Sequence, residues 1–172
     1  MRRINDSIEK QNIIIKWIKE KMKKKQIQFK LIYQMTKDGN KSEKFHEKCD
    51  NKGPTLILIE TTKNKIFGGY TPLNWEKGKN VYDTENQTFI FSLNLMKKFD
   101  LINKNIYAIR GGEGPWFGDC DFGLHYNMIE GESYANQTCN FLSNNNLELT
   151  GGKGNNENFE TKQFEVFSVI FD

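Results

Sequence analysis

The spacing of apolar residues at the start of the chain predicts an amphipathic helix. From residue 4 to residue 22 apolar side chains recur every three or four positions, which places them on one side of an α-helix. They are Ile4, Ile8, Ile15, Ile18 and Met22, and Ile14 and Trp17 widen the apolar side. The other side is polar and becomes basic toward its end, with Lys16, Lys19, Lys23, Lys24 and Lys25. We therefore predict a basic amphipathic helix within residues 1–28, docked on the rest of the chain by its apolar side.

After residue 28 the pattern changes to short β-like runs between turn signals. Residues 55–60 and 163–171 are apolar on both faces, which is typical of strands inside a covered sheet. Residues 66–70 follow the first of these after a short polar connection and are predicted as its hairpin partner. Further candidate strands are residues 88–93, 105–110, 123–129 and 147–150. Residues 29–34 fit either a strand or a helix end, and Ser42 is a suitable N-cap for a short helix to Cys49.

Strands this close together, mostly without helices between them, predict a fold that is α+β but mainly β. We expect two antiparallel sheets packed as a sandwich, with short peripheral helices and the N-terminal amphipathic helix in addition. No internal repeat or linker divides the body of the chain, so residues 29–172 are predicted as one domain.

Composition supports a folded protein and shows where its charge lies. Only 37% of the 172 residues are apolar but 13% are aromatic, whereas disordered chains lack such rings. The net charge of +3 divides unevenly: residues 1–30 hold ten of the 25 basic and three of the 22 acidic residues, a balance of +7, which leaves −4 for residues 31–172. No secretory signal or membrane-length apolar run is visible. We expect a cytoplasmic protein, with a nuclear location also open.

The cysteines and acidic residues provide few candidates for catalysis or metal binding. Cys49, Cys120 and Cys139 include no Cys-x-x-Cys pair, so reduced and packed thiols are expected. A zinc site could in principle combine His46 and Cys49 with residues 119–125 and Cys139. These residues do not show the paired ligand spacing typical of zinc sites, and we predict no metal. Glu113, Asp119 and Asp121 form an acidic cluster on a glycine-rich, aromatic loop, the best candidate for paired-carboxylate chemistry. A solvated loop whose carboxylates cap turns explains that cluster better, and no catalytic residues and no cofactor are predicted.

Four blocks of residues, in order, resemble the TLDc domain of the oxidation-resistance proteins. The match runs from about residue 29 to residue 171. It rests on Cys49, Asp50, Gly53 and Pro54; on Phe67, Gly68, Gly69 and Tyr70; on Gly114, Pro115 and Gly118; and on Glu165 and Phe167. The resemblance implies a two-sheet antiparallel sandwich with helices around it. It also implies an association with oxidative-stress protection and with binding and regulation of the vacuolar-type proton ATPase, without an established enzymatic mechanism.

The leading hypothesis is a non-enzymatic interaction module of the TLDc type. Trp75 and Trp116 are on predicted loops, where large rings either cover the core or anchor an interface. We name Trp75, Glu113, Trp116, Asp119 and Asp121 as candidate partner-binding residues. The alternatives are a thiol-dependent antioxidant enzyme using Cys49 or Cys120, and a nucleic-acid or membrane-surface binder that uses the lysines of the helix.

Overall fold

The computed structural model describes residues 7–102, 104–119, 121–128, 133–136, 141, 149 and 156–172. The helices are α1 (Ile8–Met22), α2 (Met35–Asp38) and α3 (Ser42–Cys49). The strands are β1 (Ile27–Gln34), β2 (Thr55–Thr61), β3 (Ile66–Thr71), β4 (Asn80–Val81), β5 (Phe89–Ser92), β6 (Lys97–Asp100), β7 (Ile109–Gly111), β8 (Pro115–Phe117), β9 (Phe122–Gly123), β10 (Ser133–Asn136), β11 (Asn156–Phe159) and β12 (Thr161–Phe171).

Sheet 1 is antiparallel, with the strand order β1-β12-β2-β3-β5-β6. β2 and β12 are neighbouring interior strands of this sheet, and they pair in a register that sets Ile57 opposite Val166. Five of the first six positions of β2 are buried, because both faces of the sheet are covered. The predicted interior strands at residues 55–60 and 163–171 are confirmed.

Sheet 2 is also antiparallel, with the order β11-β10-β9-β8-β7-β4, and it packs on the inner face of sheet 1. Aromatic rings fill the space between the sheets: Phe67 of β3 meets the edge of Phe122 of β9 at a centroid distance of 5.3 Å, and Phe117 of β8 stacks on Phe122 at 5.0 Å. The predicted fold class, mainly β with two antiparallel sheets, is confirmed.

Helix α1 covers the outer face of sheet 1. Ile14, Trp17 and Ile18 are buried there against apolar side chains from the sheet. Lys23 follows in the left-handed conformation and its N–H donates to the carbonyl of Lys19, which ends the helix. The predicted docked amphipathic helix is present, although its described part is shorter than residues 1–28.

Several predicted strands differ from those observed. Within residues 105–110 only the end belongs to β7, and of the candidate strand at residues 123–129 the structure describes 123–128, where only Gly123 is in a strand. Residues 88–93 contain β5, and residues 29–34 belong to β1. Apart from Leu149, the candidate at residues 147–150 lies outside the described residues, as does part of the glycine-rich stretch before β11. The sequence pattern did not predict β6 or β8.

Candidate partner-binding surface

The outer face of sheet 2 presents a tryptophan on a row of cross-strand neighbours. Arg110 of β7 is opposite Trp116 of β8, Trp116 is opposite Gly123 of β9, and Gly123 is opposite Tyr134 of β10. Because Gly123 has no side chain, the Trp116 ring lies directly on its backbone; a Cβ atom there would overlap three ring atoms. The Trp116 ring is half-buried. It is tilted relative to the Tyr134 ring, and the centroids of the two rings are 6.2 Å apart.

Charged groups surround the Trp116 ring. The Arg110 guanidinium lies 5.9 Å from the ring centroid, and its Nη1 donates to the carbonyl oxygen of Asp119 at 2.9 Å and to Asp119 Oδ1 at 3.0 Å. The His125 ring meets the Trp116 ring edge-on at 5.0 Å, and His125 Nδ1 is 3.3 Å from Glu113 Oε2. The side chains of Glu113 and Asp119 are 69% and 58% exposed, so both carboxylates are accessible. We call Arg110, Glu113, Trp116, Asp119 and His125 the tryptophan surface.

Backbone contacts hold this surface in place. Gly114 is buried in the β7–β8 hairpin, where a Cβ atom would overlap the Leu124 carbonyl oxygen. The N–H of Leu124 donates to the carbonyl of Pro115 at 3.1 Å, which ties the hairpin to the segment that carries His125. Gly118 directly follows β8 and has a φ of +67°, a left-handed conformation that glycine adopts at low cost.

The structure corrects the assignment of Trp75 and Asp121 to an accessible surface. Trp75 is 1% exposed; its indole N–H donates to Thr55 Oγ1 at 2.9 Å, and its ring packs edge-on against Phe45 and Phe117. The buried Asp121 accepts the N–H of Phe141 at 2.8 Å. Of the five candidate partner-binding residues, the structure brings Glu113, Trp116 and Asp119 together at the surface and places the other two inside.

The first block of motif residues stabilises the entry into β2. Asp50 Oδ1 lies 2.8 Å from His46 Nδ1, and Asp50 Oδ2 accepts the N–H of Lys77 at 2.9 Å, so Asp50 joins α3 to a distant loop. Gly53 has a φ of +73° at the turn that precedes Pro54. Cys49 is fully buried, and burial together with the nearby Asp50 carboxylate raises the pKa of its thiol.

The second and fourth blocks lie in sheet 1. A Cβ atom on Gly69 would be 2.5 Å from the Phe117 ring, and one on Gly68 would overlap the Ile57 carbonyl oxygen. Gly69 therefore permits the close approach of the two sheets, and Gly68 permits the close approach of β2 and β3 within sheet 1; β3 remains in regular register. The remaining motif residues are buried in or against sheet 1: Phe67, Tyr70, Glu165 and Phe167. Glu165 Oε1 accepts a hydrogen bond from Gln34 Nε2 at 3.0 Å.

The described residues contain no cluster of three or more His, Cys, Asp or Glu side chains that could hold a metal ion. Cys120 and Cys139, which the zinc and thiol hypotheses name, lie outside those residues. Cys49 is buried, which disfavours its use as a reactive thiol.

The lysines of α1 and of the residues directly after it form a second polar surface on the opposite side of the sandwich. Lys16, Lys23, Lys24 and Lys25 are exposed, and Lys19 is half-buried. Across the ranges that the structure describes, no helix combines the length and the apolar character needed to cross a bilayer.

Comparison with known proteins gives one family and one relative. The family model of the TLDc domain matches residues 5–170, a span that includes α1. The MTOR-associated protein MEAK7 of Danio rerio is 25% identical over 153 residues, which cover 82% of this chain and 32% of that protein. The chain thus spans about a third of the length of this relative. The proposed domain boundary at residue 28 stays a prediction.

Proposed function

Because this chain belongs to the TLDc domain family, we propose that it is a non-enzymatic interaction module that binds a protein partner through the tryptophan surface. The observation that carries the proposal is the exposed arrangement around Trp116, a large ring held in place by Gly123 and surrounded by charged side chains. A non-enzymatic role agrees with the burial of Cys49, the one cysteine in the described part of the chain.

The geometry of Trp116 suits an interface anchor. Tryptophan and arginine are the residue types most enriched among those that dominate binding energy. Since the ring is already seated on Gly123 and against His125, it loses little conformational freedom when a partner covers it. The Arg110 guanidinium and the exposed carboxylates of Glu113 and Asp119 together carry a charge of −1 around Trp116, counting His125 as neutral. We infer a partner surface that is apolar at its centre and basic at its margin.

The family suggests which protein this partner is. We assign the peripheral subunits of the vacuolar-type proton ATPase as the first candidate, and we attribute a role in oxidative-stress protection to that interaction. The relative from Danio rerio is, by its name, associated with MTOR, which supports a role in binding other proteins. We propose a location in the cytoplasm, with the nucleus as the alternative.

Binding of the full chain to purified vacuolar-type ATPase tests the proposal. We expect Trp116→Ala to weaken binding about 30-fold, which corresponds to about 2 kcal/mol for a central interface anchor. The matched control is Tyr82→Ala, because Tyr82 is an exposed aromatic residue (47%) that packs on Tyr107 and is not one of the five residues of the tryptophan surface. The control should bind within about twofold of the wild type.

Two results would contradict the proposal. One is equal binding by both variants and the wild type, with both variants folded by circular dichroism; this would remove the tryptophan surface from the interaction. The other is no detectable binding of wild-type protein to the ATPase at micromolar concentration, with another TLDc domain binding in the same assay; this would remove the ATPase as partner.

The double variant Glu113→Gln, Asp119→Asn should slow association and weaken its dependence on salt.

A further inference from the structure

Helix α1 carries a row of side chains on the face directed away from sheet 1. Ile8, Asn12, Lys16, Lys19 and Lys23 follow one another at intervals of four, four, three and four residues, so they lie along one side of the helix. With a rise of about 1.5 Å per residue, the row extends over about 22 Å. Lys24 and Lys25, both exposed, continue it beyond the end of the helix. We call these seven residues the lysine row.

The lysines of this row are free to bind an external anion. Lys21 of α1, which is not part of the lysine row, already forms an ion pair. Its Nζ lies 3.0 Å from Asp100 Oδ1, and Lys98 Nζ lies 2.9 Å from the same oxygen. Partial burial opposes the ionisation of Asp100, but hydrogen bonds from Lys98 and Lys21 hold the pKa of this carboxyl below its usual value. By contrast, none of the lysines in the lysine row forms an ion pair with a described carboxylate.

The N-terminal end of the lysine row carries exposed aliphatic side chains beside the exposed carboxylate of Glu9. The side chain of Ile8 is 75% exposed, and together with Ile13 and Met96 it lines a shallow groove beside the β5–β6 turn. Leu95, the neighbour of Met96 in that turn, is 39% exposed. The apolar face of α1 packs on sheet 1, so attraction between the lysines and anionic lipids is the main contribution to membrane binding, and the exposed aliphatic side chains can add a smaller apolar one.

We propose that the lysine row docks this domain on the surface of an anionic phospholipid bilayer, with α1 parallel to the membrane plane and Ile8 at the acyl boundary. A flat anionic surface contacts all the lysines of a straight row at once. Nucleic-acid binding would favour arginine or stacking aromatic rings beside the lysines, and the lysine row has neither. The lysine row and the tryptophan surface are on opposite sides of the sandwich, so a membrane and a protein partner can be bound together. The proposal does not depend on the proposed function.

Co-sedimentation of the full chain with protein-free vesicles tests the proposal. Vesicles of phosphatidylcholine with phosphatidylserine should bind the protein at low ionic strength, whereas pure phosphatidylcholine should not, and added salt should release it. Since each lysine at an anionic surface contributes about a factor of five, removing three should weaken binding about 100-fold. The triple variant is Lys16→Gln, Lys19→Gln, Lys23→Gln.

The matched control removes the same charge from exposed lysines elsewhere: Lys37→Gln, Lys63→Gln, Lys77→Gln. It should bind the acidic vesicles at least ten times more tightly than the first triple variant, which would support a local docking surface. Equal losses in the two variants, with both folded by circular dichroism, would overturn the proposal, because binding would then follow net charge alone.

A second variant separates a membrane from a nucleic acid. Ile8→Asn should weaken vesicle binding up to about tenfold, because Ile8 can bury its aliphatic side chain only in a bilayer. Its exposure makes the substitution compatible with the fold. Unchanged vesicle binding by Ile8→Asn, or tighter binding of the wild type to single-stranded DNA than to the acidic vesicles, would overturn the proposal.

Discussion

Replacing Trp17 by alanine tests whether α1 is part of the cooperative fold. The Trp17 ring is 7% exposed, and it packs on Phe89 and Phe91 of β5 at centroid distances of 6.4 and 5.9 Å. Truncating a tryptophan in such a site costs about 3–5 kcal/mol, from lost burial and from the cavity left behind. Because folded domains are stable by only about 5–15 kcal/mol, this one substitution removes a large share of the free energy of unfolding.

Urea unfolding, followed by circular dichroism, measures the effect. With an m value of about 2 kcal/mol per molar urea, a loss of 3 kcal/mol lowers the midpoint by about 1.5 M. Ile8→Ala is the matched control, since Ile8 is an apolar residue of the same helix but 75% exposed, and it should change stability by less than about 0.5 kcal/mol. If Trp17→Ala lies within 1 kcal/mol of this control, α1 unfolds separately from the sheets and our account of its role is wrong.

Two further predictions concern the core. Gly69→Ala should destabilise the protein by about 1–3 kcal/mol in the same assay, since a Cβ atom there would be 2.5 Å from the Phe117 ring; Gly112→Ala, where nothing lies within 4 Å of the added Cβ, should be nearly neutral, and similar losses in both would refute the packing argument. In a variant whose other two cysteines are replaced by serine, Cys49 should react with a thiol reagent at neutral pH only on unfolding, because burial raises its thiol pKa. Fast labelling of the native protein would instead support the thiol-enzyme alternative.

The strands that sequence reasoning located most closely are those covered on both faces. β2 and β12 are covered on one side by α1 and the side chains around it and on the other by sheet 2. Residues 56–59 are accordingly a continuous apolar run, and six of the nine residues at 163–171 are apolar. The short strands of sheet 2 give no such pattern. β8 has three residues, begins with a proline and follows a glycine-rich turn; only its pairing with β7 and β9 makes it a strand.

The candidate surface was only partly predictable for a related reason. Trp75 and Trp116 carry the same local signal, a large ring near glycine or proline, yet one is in the core and the other on the surface. The difference arises from partners far along the chain. Thr55 accepts a hydrogen bond from the indole N–H of Trp75 inside the core, whereas the Trp116 ring lies on the backbone of Gly123 at the surface. Residue spacing along a loop does not contain that information. Arg110 and His125 were missed because each acts only through its neighbours across the sheet.

The position of β12 constrains the order in which the protein can be made. β12 lies between β1 and β2, so the strand translated last among those of sheet 1 is the one that joins its earliest parts. Until residues 161–171 have left the ribosome, β1 has no neighbouring strand to pair with, and β2 presents an unpaired edge to any other chain. Folding is therefore expected to wait for late synthesis. The nascent chain should depend on chaperones that shield apolar strands during translation.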